Sequence, residues 1–353
     1  MPKNRSVRAL VTIGLLGIAL LITIVTSIGV GAISIETSTV VKVLWSKVGT
    51  ELAEDEYVQS SAIIFGIRFP RTIMAVLIGG ALSICGAALQ GLFRNPLADP
   101  QLIGVSGGAA LAAAASIIWV PTVAALSEYG DQNWFLPLAA FLGGLVSTFV
   151  VYRISGYKGK TSVSTMLLAG IAINAFTAAG IGYLIFTADD NQIRDLTFWL
   201  LGSLGSSTWE TVYVAFPFLL FTILVLPLLG KKMNVLLMGE REAAYLGVNV
   251  EVIKRVIIVL CALGVGVSVS VSGIIGFVGL VIPHILRLMI GTDHRFLLPA
   301  SVLLGALLLL ASDVLARTIV VPAELPIGIV TAFAGAPFFL WLLLRNRTAI
   351  HSL

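Results

Sequence analysis

Gly159-Lys160-Thr161 is the place in this 353-residue chain where residue type and spacing suggest phosphate chemistry. A phosphate-cradling loop needs a further glycine five residues before that Gly, so that backbone amides and lysine wrap the phosphates together. Ile154 stands there, and the chain is not expected to bind ATP itself. His284, His294 and His351 fall in different segments with no Cys, His or carboxylate at ligand spacing, so no metal site is expected. No Gly-x-Ser-x-Gly elbow is present, and Cys85 and Cys261 sit inside apolar runs as small packing residues. The remaining chemistry lies in short polar segments. They are the arginine-bearing IRFPR at 67–71, the two-proline RNPLADP at 94–100, Asp313 with Arg317 at helical pair spacing, and a long island at 231–255.

The elements that position these segments follow from composition. With 58% hydrophobic and 11% charged residues, and a mean hydropathy of +1.02, the chain lies far from the soluble range. It reads as a polytopic membrane protein of the all-α class, because lipid satisfies no open backbone group. Runs of roughly 20 apolar residues predict ten spans, near 9–33, 68–92, 101–119, 136–152, 163–187, 211–230, 256–272, 274–290, 296–316 and 327–344. The eighth is short, broken by Pro283, and carries His284 and Arg287.

Placing the N-terminus in the cytosol returns the C-terminus to the same side. Most of the 22 Lys+Arg then fall on that side and few of the 18 Asp+Glu, the positive-inside pattern. The pI near 9.1 is thus an orientation device; no aromatic-interleaved basic patch points to nucleic acid. The spans hold scarcely any ionisable groups besides Asp313, whereas ion-coupled transporters bury carboxylates at the midplane. Energy for transport is therefore expected from outside the chain. Glycine and alanine pairs, such as Gly79-Gly80 and Gly86-Ala87-Ala88, predict close helix packing.

On this topology the prolines at 94–100 end one helix and open the next on the cytosolic side. Arg68 and Arg71 fall at the outer mouth of the second span, where snorkelling to the interface is one reading. The island reads as a water-facing docking surface. Gly239 and Gly247 bracket Glu240-Arg241-Glu242-Ala243-Ala244-Tyr245-Leu246, about two turns of helix, too short to stand alone in water.

Four stretches then carry a family likeness: RFPRTIMAVLIGGALSICGAALQGLFRNPLADPQLIGVSGGAA, GEREAAYLGV, GFVGLVIPHILRLMIGTDHR and AELPIGIVTAFAGAPFFLWLL. In order, from about residue 60 to residue 345, they resemble the permease subunits of type II ABC importers for iron-siderophores, haem and vitamin B12. The resemblance implies the type II ABC importer permease fold over residues 1–353, as a single transmembrane domain of about ten helices in the bacterial inner membrane, both termini cytoplasmic. It implies a homodimer with a second copy, two cytosolic ATPase subunits that use ATP and Mg, and a substrate-binding protein outside. No cofactor is expected on this chain. By the same likeness 231–255 is the coupling segment, with Gly239, Glu240, Arg241, Glu242, Tyr245, Leu246 and Gly247 fitting the ATPase. Arg68, Arg71 and Arg317 match positions that grip acidic residues of the binding protein. Asn95, Leu97, Val163 and Ser164 match a cytosolic gate, with Val163 replacing a hydroxyl residue. Arg194 is a candidate for meeting a carboxylate-bearing cargo such as haem at the entrance, beside a local pair with Asp190 or Asp195. The cargo expected is an iron chelate, haem or ferric siderophore; the alternatives are vitamin B12 and, in a different class, ion-coupled secondary transport.

Overall fold

The computed structural model describes residues 3–31, 55–124 and 134–350. Residues 32–54, 125–133 and His351 lie outside the described residues. In chain order the helices are α1 (Lys3–Gly29), α2 (Asp55–Ile63), α3 (Phe69–Leu92), α4 (Val105–Ala124) and α5 (Phe135–Ser155). A hairpin, β1 (Gly156–Tyr157) with β2 (Lys160–Thr161), leads to α6 (Val163–Thr187), α7 (Asp190–Leu201) and α8 (Trp209–Val225). There follow α9 (Gly230–Leu236), α10 (Glu240–Tyr245), α11 (Val250–Ser272), α12 (Val278–Ile290), α13 (His294–Ala316) and α14 (Ile327–Ile350).

Among the described residues seven helical stretches are long and apolar enough to cross a membrane. Three shorter apolar helices, Val105–Trp119, Val278–Ile290 and Ile327–Trp341, bring the set to the ten anticipated. Several boundaries differ from expectation, two of them for a reason visible in the backbone. The second span begins at Val58, because a π turn at Ile64–Arg68 carries the helix through without a break. The eighth begins only at Val278, because Gly273 and Phe277 both take φ of 68° and the chain between them leaves the helix. Arg287, which made that segment look doubtful, donates to Gln90 Oε1 on α3. Gly159-Lys160-Thr161 turns out to belong to the hairpin. Lys158 and Gly159 at its tip both have positive φ, as a primed two-residue turn requires.

The core is organised around α3. In the span that contains it, 89% of the best apolar window is buried, against 17% for α1 and 28% for α5. Helices α13, α11, α12 and α8 pack on it, and α11 joins this group to the layer made by α4, α5 and α6. A helix enclosed on so many sides has to be narrow, and small residues let backbones meet. An added Cβ at Gly86 would overlap the Gly279 carbonyl on α12, and one at Gly79 would overlap the Gly305 carbonyl on α13. Cys85 and Cys261 are free thiols buried in the same core.

Because the obstacle at Gly86 is backbone, no rotamer change relieves it. Gly86→Leu should lower the Tm of the detergent-purified chain by the equivalent of about 3 kcal/mol or more, the upper end of overpacking costs. Gly14→Leu, where the added group meets open space, should leave Tm unchanged.

Candidate functional site

At one end of the bundle the island folds into α9 and α10. Gly239 takes φ of 136° and Gly247 φ of 78°, conformations that an L side chain rarely adopts. The two bracketing glycines are thus where the chain turns. Past α10 the Val248 amide donates to Ala243 O and the Gly247 amide to Ala244 O, both at 3.0 Å, which closes a Schellman cap. Ala243 packs inward and is fully buried, while Arg241, Glu242 and Leu246 are exposed and Tyr245 is 91% exposed. Met238, just before the turn, is exposed as well. An aromatic and two aliphatic side chains stand in the open on a charged segment.

The island is not wholly water-facing, and here the structure corrects the sequence reading. Met233 and Leu236 of α9 are buried, and Lys254 on the first turn or so of α11 is 2% exposed. Its ammonium donates to Glu240 Oε2 at 2.8 Å, to the Thr161 carbonyl at 2.8 Å and to Glu251 Oε1 at 3.2 Å. Asn234 of α9 holds the start of α13. Its amide nitrogen donates to Asp293 Oδ1 at 2.7 Å, and its carbonyl accepts the His294 amide at 2.8 Å. Hydrogen bonds from the Arg295 guanidinium and, secondarily, from Asn234 hold the Asp293 carboxyl down at about 2.

Val163, Ser164, Arg94 and Glu240 line one cleft on this end, together with Thr161 and Ser162. Two of the four expected gate residues therefore share a cleft with Glu240 of the island. Asn95 and Leu97 do not line it. Asn95 Oδ1 instead accepts the Leu97 amide at 2.9 Å, an Asx turn that leaves the Leu97 side chain 45% exposed beside the bundle.

The opposite end of α3 carries the arginines. The structure brings Arg68, Arg71 and Arg317 together, but all three are buried, at 4%, 6% and 4% exposed. Arg71 Nε donates to Asp313 Oδ1 at 2.8 Å, and its Nη1 to both oxygens of Glu324 at 3.0 and 2.8 Å. Arg317 Nη2 donates to Ser27 O and Oγ, and its Nε lies 3.4 Å from Asp313 Oδ2, the helical pair read from the spacing. Arg68 Nη1 donates to the carbonyls of Ile28 and Gly29, closing the end of α1. Snorkelling is thereby corrected: the guanidiniums point into protein. Arg194 is exposed on α7 and forms no ion pair with Asp190 or Asp195 among the described residues. His284 stacks edge-on against Phe338, and no three His, Cys, Asp or Glu side chains converge on a metal-sized site among the described residues. Ser27, Glu324, Glu251 and Lys254 are the partners that sequence reasoning missed. The only signal for Lys254 was its position at the edge of an apolar run.

Removing one member of a buried ion pair strands the other. Arg71→Ala takes from Asp313, whose side chain is 1% exposed, its hydrogen-bonded cation and leaves only Arg317 at 3.4 Å, so it should cost about 3 kcal/mol, the lower end for breaking a buried pair, read as a fall in Tm in detergent. Asp293 gives a pH dependence whose sign is fixed by its depressed value. Its stabilising contribution is fully present above the ordinary 3.8 and drains as pH falls toward about 2. Acid unfolding of Asp293→Asn, compared with the parent, should show a flatter loss of stability across that window.

Residues 19–345 match the FecCD transport family. The hemin transport system permease protein HmuU of Yersinia pestis is 42% identical over 347 residues, 98% of this chain and 98% of that relative. The vitamin B12 import system permease protein BtuC of Escherichia coli O9:H4 (strain HS) is 40% identical over 284 residues, 80% of this chain and 84% of its own length. A solved structure described as an inward-facing conformation of a metal-chelate type ABC transporter superposes with a TM-score of 0.81 at 31% identity, covering 94% of this chain and 98% of that one. The bundle of ten apolar helices among the described residues accords with the fold match, and the chain belongs to the FecCD transport family as a multi-pass ABC importer permease.

Proposed function

We propose that the chain passes an iron chelate, haem or a ferric siderophore, from an external binding protein into the cytoplasm, using ATP hydrolysed by separate subunits. The observation that supports the cargo is the end-to-end likeness to the hemin permease, 42% identical over 98% of both chains, where the vitamin B12 relative matches 80% of this chain at 40%. Vitamin B12 is the second reading, favoured by the relatives that import it. Ion-coupled transport finds less support, because Asp313 and Glu251 lie near helix ends and already hold arginine and lysine partners.

On this reading the island end faces the cytosol, and α10 with Tyr245, Leu246 and Met238 is the surface on which an ATPase subunit seats. A short helix with an exposed aromatic is the kind of knob that fills a partner's cleft and dominates its binding energy. Gly239 and Gly247 set its angle, Glu240 anchors it to the bundle, and Arg241 and Glu242 supply charge at the rim. Val163 and Ser164, with Asn95 and Leu97 just after the cleft-lining Arg94, close the pathway by shape. A second copy of the chain would cover the exposed apolar faces of α6 and α14, where Phe186 and Phe333 stand 87% and 78% exposed. Arg194 on α7 would meet a cargo carboxylate near the far end.

Docking of a binding protein falls to the arginine cluster at that far end, where the binding protein's acidic residues would take over Arg71 from Glu324, itself 41% exposed on its side chain. Three guanidiniums against two carboxylates leave the cluster electropositive, which steers an acidic partner.

Two measurements check this reading. Tyr245→Glu should weaken co-purification of the ATPase by about thirtyfold, the effect of losing a contact worth about 2 kcal/mol, with the chain still folded. Proteoliposomes holding the complete complex should take up iron-labelled haem or siderophore with ATP present and stop when ATP is removed. Cobalamin uptake in its place would move the assignment to the second reading, and uptake driven by an ion gradient without ATP would overturn the class.

A further inference from the structure

The Lys254 ammonium has three protons to place and no acceptor of its own. Each meets an oxygen on a different element: Glu240 opening α10, Thr161 ending the hairpin, and Glu251 on α11 itself. Glu251 doubles the link, because its Oε2 accepts the Thr161 amide at 2.9 Å. Both peptide groups of Thr161 are therefore gripped from α11. The next residue, Ser162, caps α6 by accepting the Thr165 amide, and Val163 begins the helix. Between α10 and the mouth of α6 there is one buried cation.

Anchoring α11 alone would need no such arrangement. A buried ammonium is costly, and one carboxylate would be enough to pair it. Here the lysine side chain is 3% exposed, while Glu240 and Glu251 keep 41% and 27% exposure and stay hydrated. The cost falls on the lysine, and what it secures is a fixed distance between two elements far apart in sequence. Charge-assisted hydrogen bonds are the stronger kind, and three from one point resist shear in any direction.

We propose that Lys254 is the positioning residue that passes a displacement of α10 to the first turn of α6, so that α10, the hairpin and Val163-Ser164 move as one body. This rests on α10 being the ATPase-facing helix and adds the route by which its motion reaches the pathway.

The test uses the complete complex in proteoliposomes with Lys254→Met, which keeps the apolar stem and removes the ammonium, and Lys254→Arg, which restores charge and donors. Uptake per ATP hydrolysed is measured, together with the spin-label distance between Ala244→Cys on α10 and Leu168→Cys on α6, with and without nucleotide. Lys254→Met should assemble and hydrolyse ATP while uptake per ATP falls by about tenfold, within the range by which residues on a coupling route modulate it. Its label distance should broaden, and Lys254→Arg should recover most of both. An uptake-to-ATP ratio within twofold of the parent, with an unchanged distance distribution, overturns the proposal. So does a variant in which ATPase activity and uptake fall together, the mark of a merely structural lysine. If Lys254→Met does not fold, Glu251→Ala, which leaves Lys254 paired with Glu240, should broaden the distance to a smaller degree, and no broadening overturns the idea. The parent reading fails separately: an ATPase that stays bound to Tyr245→Glu removes α10 as its seat whatever Lys254 does.

Discussion

A helix surrounded on nearly every side by other helices has no room for large side chains, and this constraint on α3 shapes the rest of the molecule. Where α3 crosses α13 and α12, backbone lies against backbone at Gly79–Gly305 and Gly86–Gly279. Such crossings are held by dispersion and close fit, because lipid offers no hydrophobic drive for helices to associate. The middle of α3 therefore carries almost no chemistry. Its polar residues gather at the ends, with Arg71 on the first turn and Gln90 on the last, and each is tied to a neighbour across a crossing. The packing fixes the centre, and the ends become the places where anything can be recognised or moved.

Burial changes what those ends can do. Arginines that lie exposed at an interface would be free to grip a partner at once. Arg68, Arg71 and Arg317 are instead satisfied by carbonyls at the end of α1 and by Asp313 and Glu324. A partner would have to offer carboxylates good enough to replace one already present, which favours a complementary surface over any stray anion. Of the two acids, Asp313 is sealed and Glu324 is partly in solvent, so exchange is cheap only at Glu324.

How much of this was legible from sequence follows from the range of each interaction. Composition and run length were sufficient for the spans and the all-α class, since the need to satisfy backbone in lipid is local to each segment. Gly239 and Gly247 were also legible, because the turns they make depend on their own φ. Arg71 was not. Its partners Asp313 and Glu324 lie 242 and 253 residues away, and nothing at 67–71 distinguishes an arginine bound for water from one bound for protein. The eighth span looked weak for the same reason, since Arg287 is answered by Gln90, 197 residues earlier. Lys254 was hidden by its company: in a run of charged residues a buried lysine looks like its exposed neighbours. Nor did residue type alone separate Val163 and Ser164, which line a cleft with Glu240 of α10, from Asn95 and Leu97, which are held in their own turn.

The distribution of charge finally bears on how energy could enter such a molecule. The apolar faces of α6 and α14 present Phe176, Tyr183, Phe186 and Phe333 and offer an ion nothing to bind. A gradient could act on the described spans only through groups able to take up a cation, and the buried carboxylate Asp313 and the half-buried Glu251 are already paired in place. If work arrives mechanically, as proposed, the input needs stiffness from the point of application to the point of use. On the proposed reading α10 is the point of application and the mouth of α6 the point of use. Dispersion contacts between small residues slide easily, so they transmit compression poorly along their own plane. A buried ammonium with three fixed acceptors does not slide, and on that reading its placement supplies stiffness between α10 and α6, which the glycine crossings of α3 do not join.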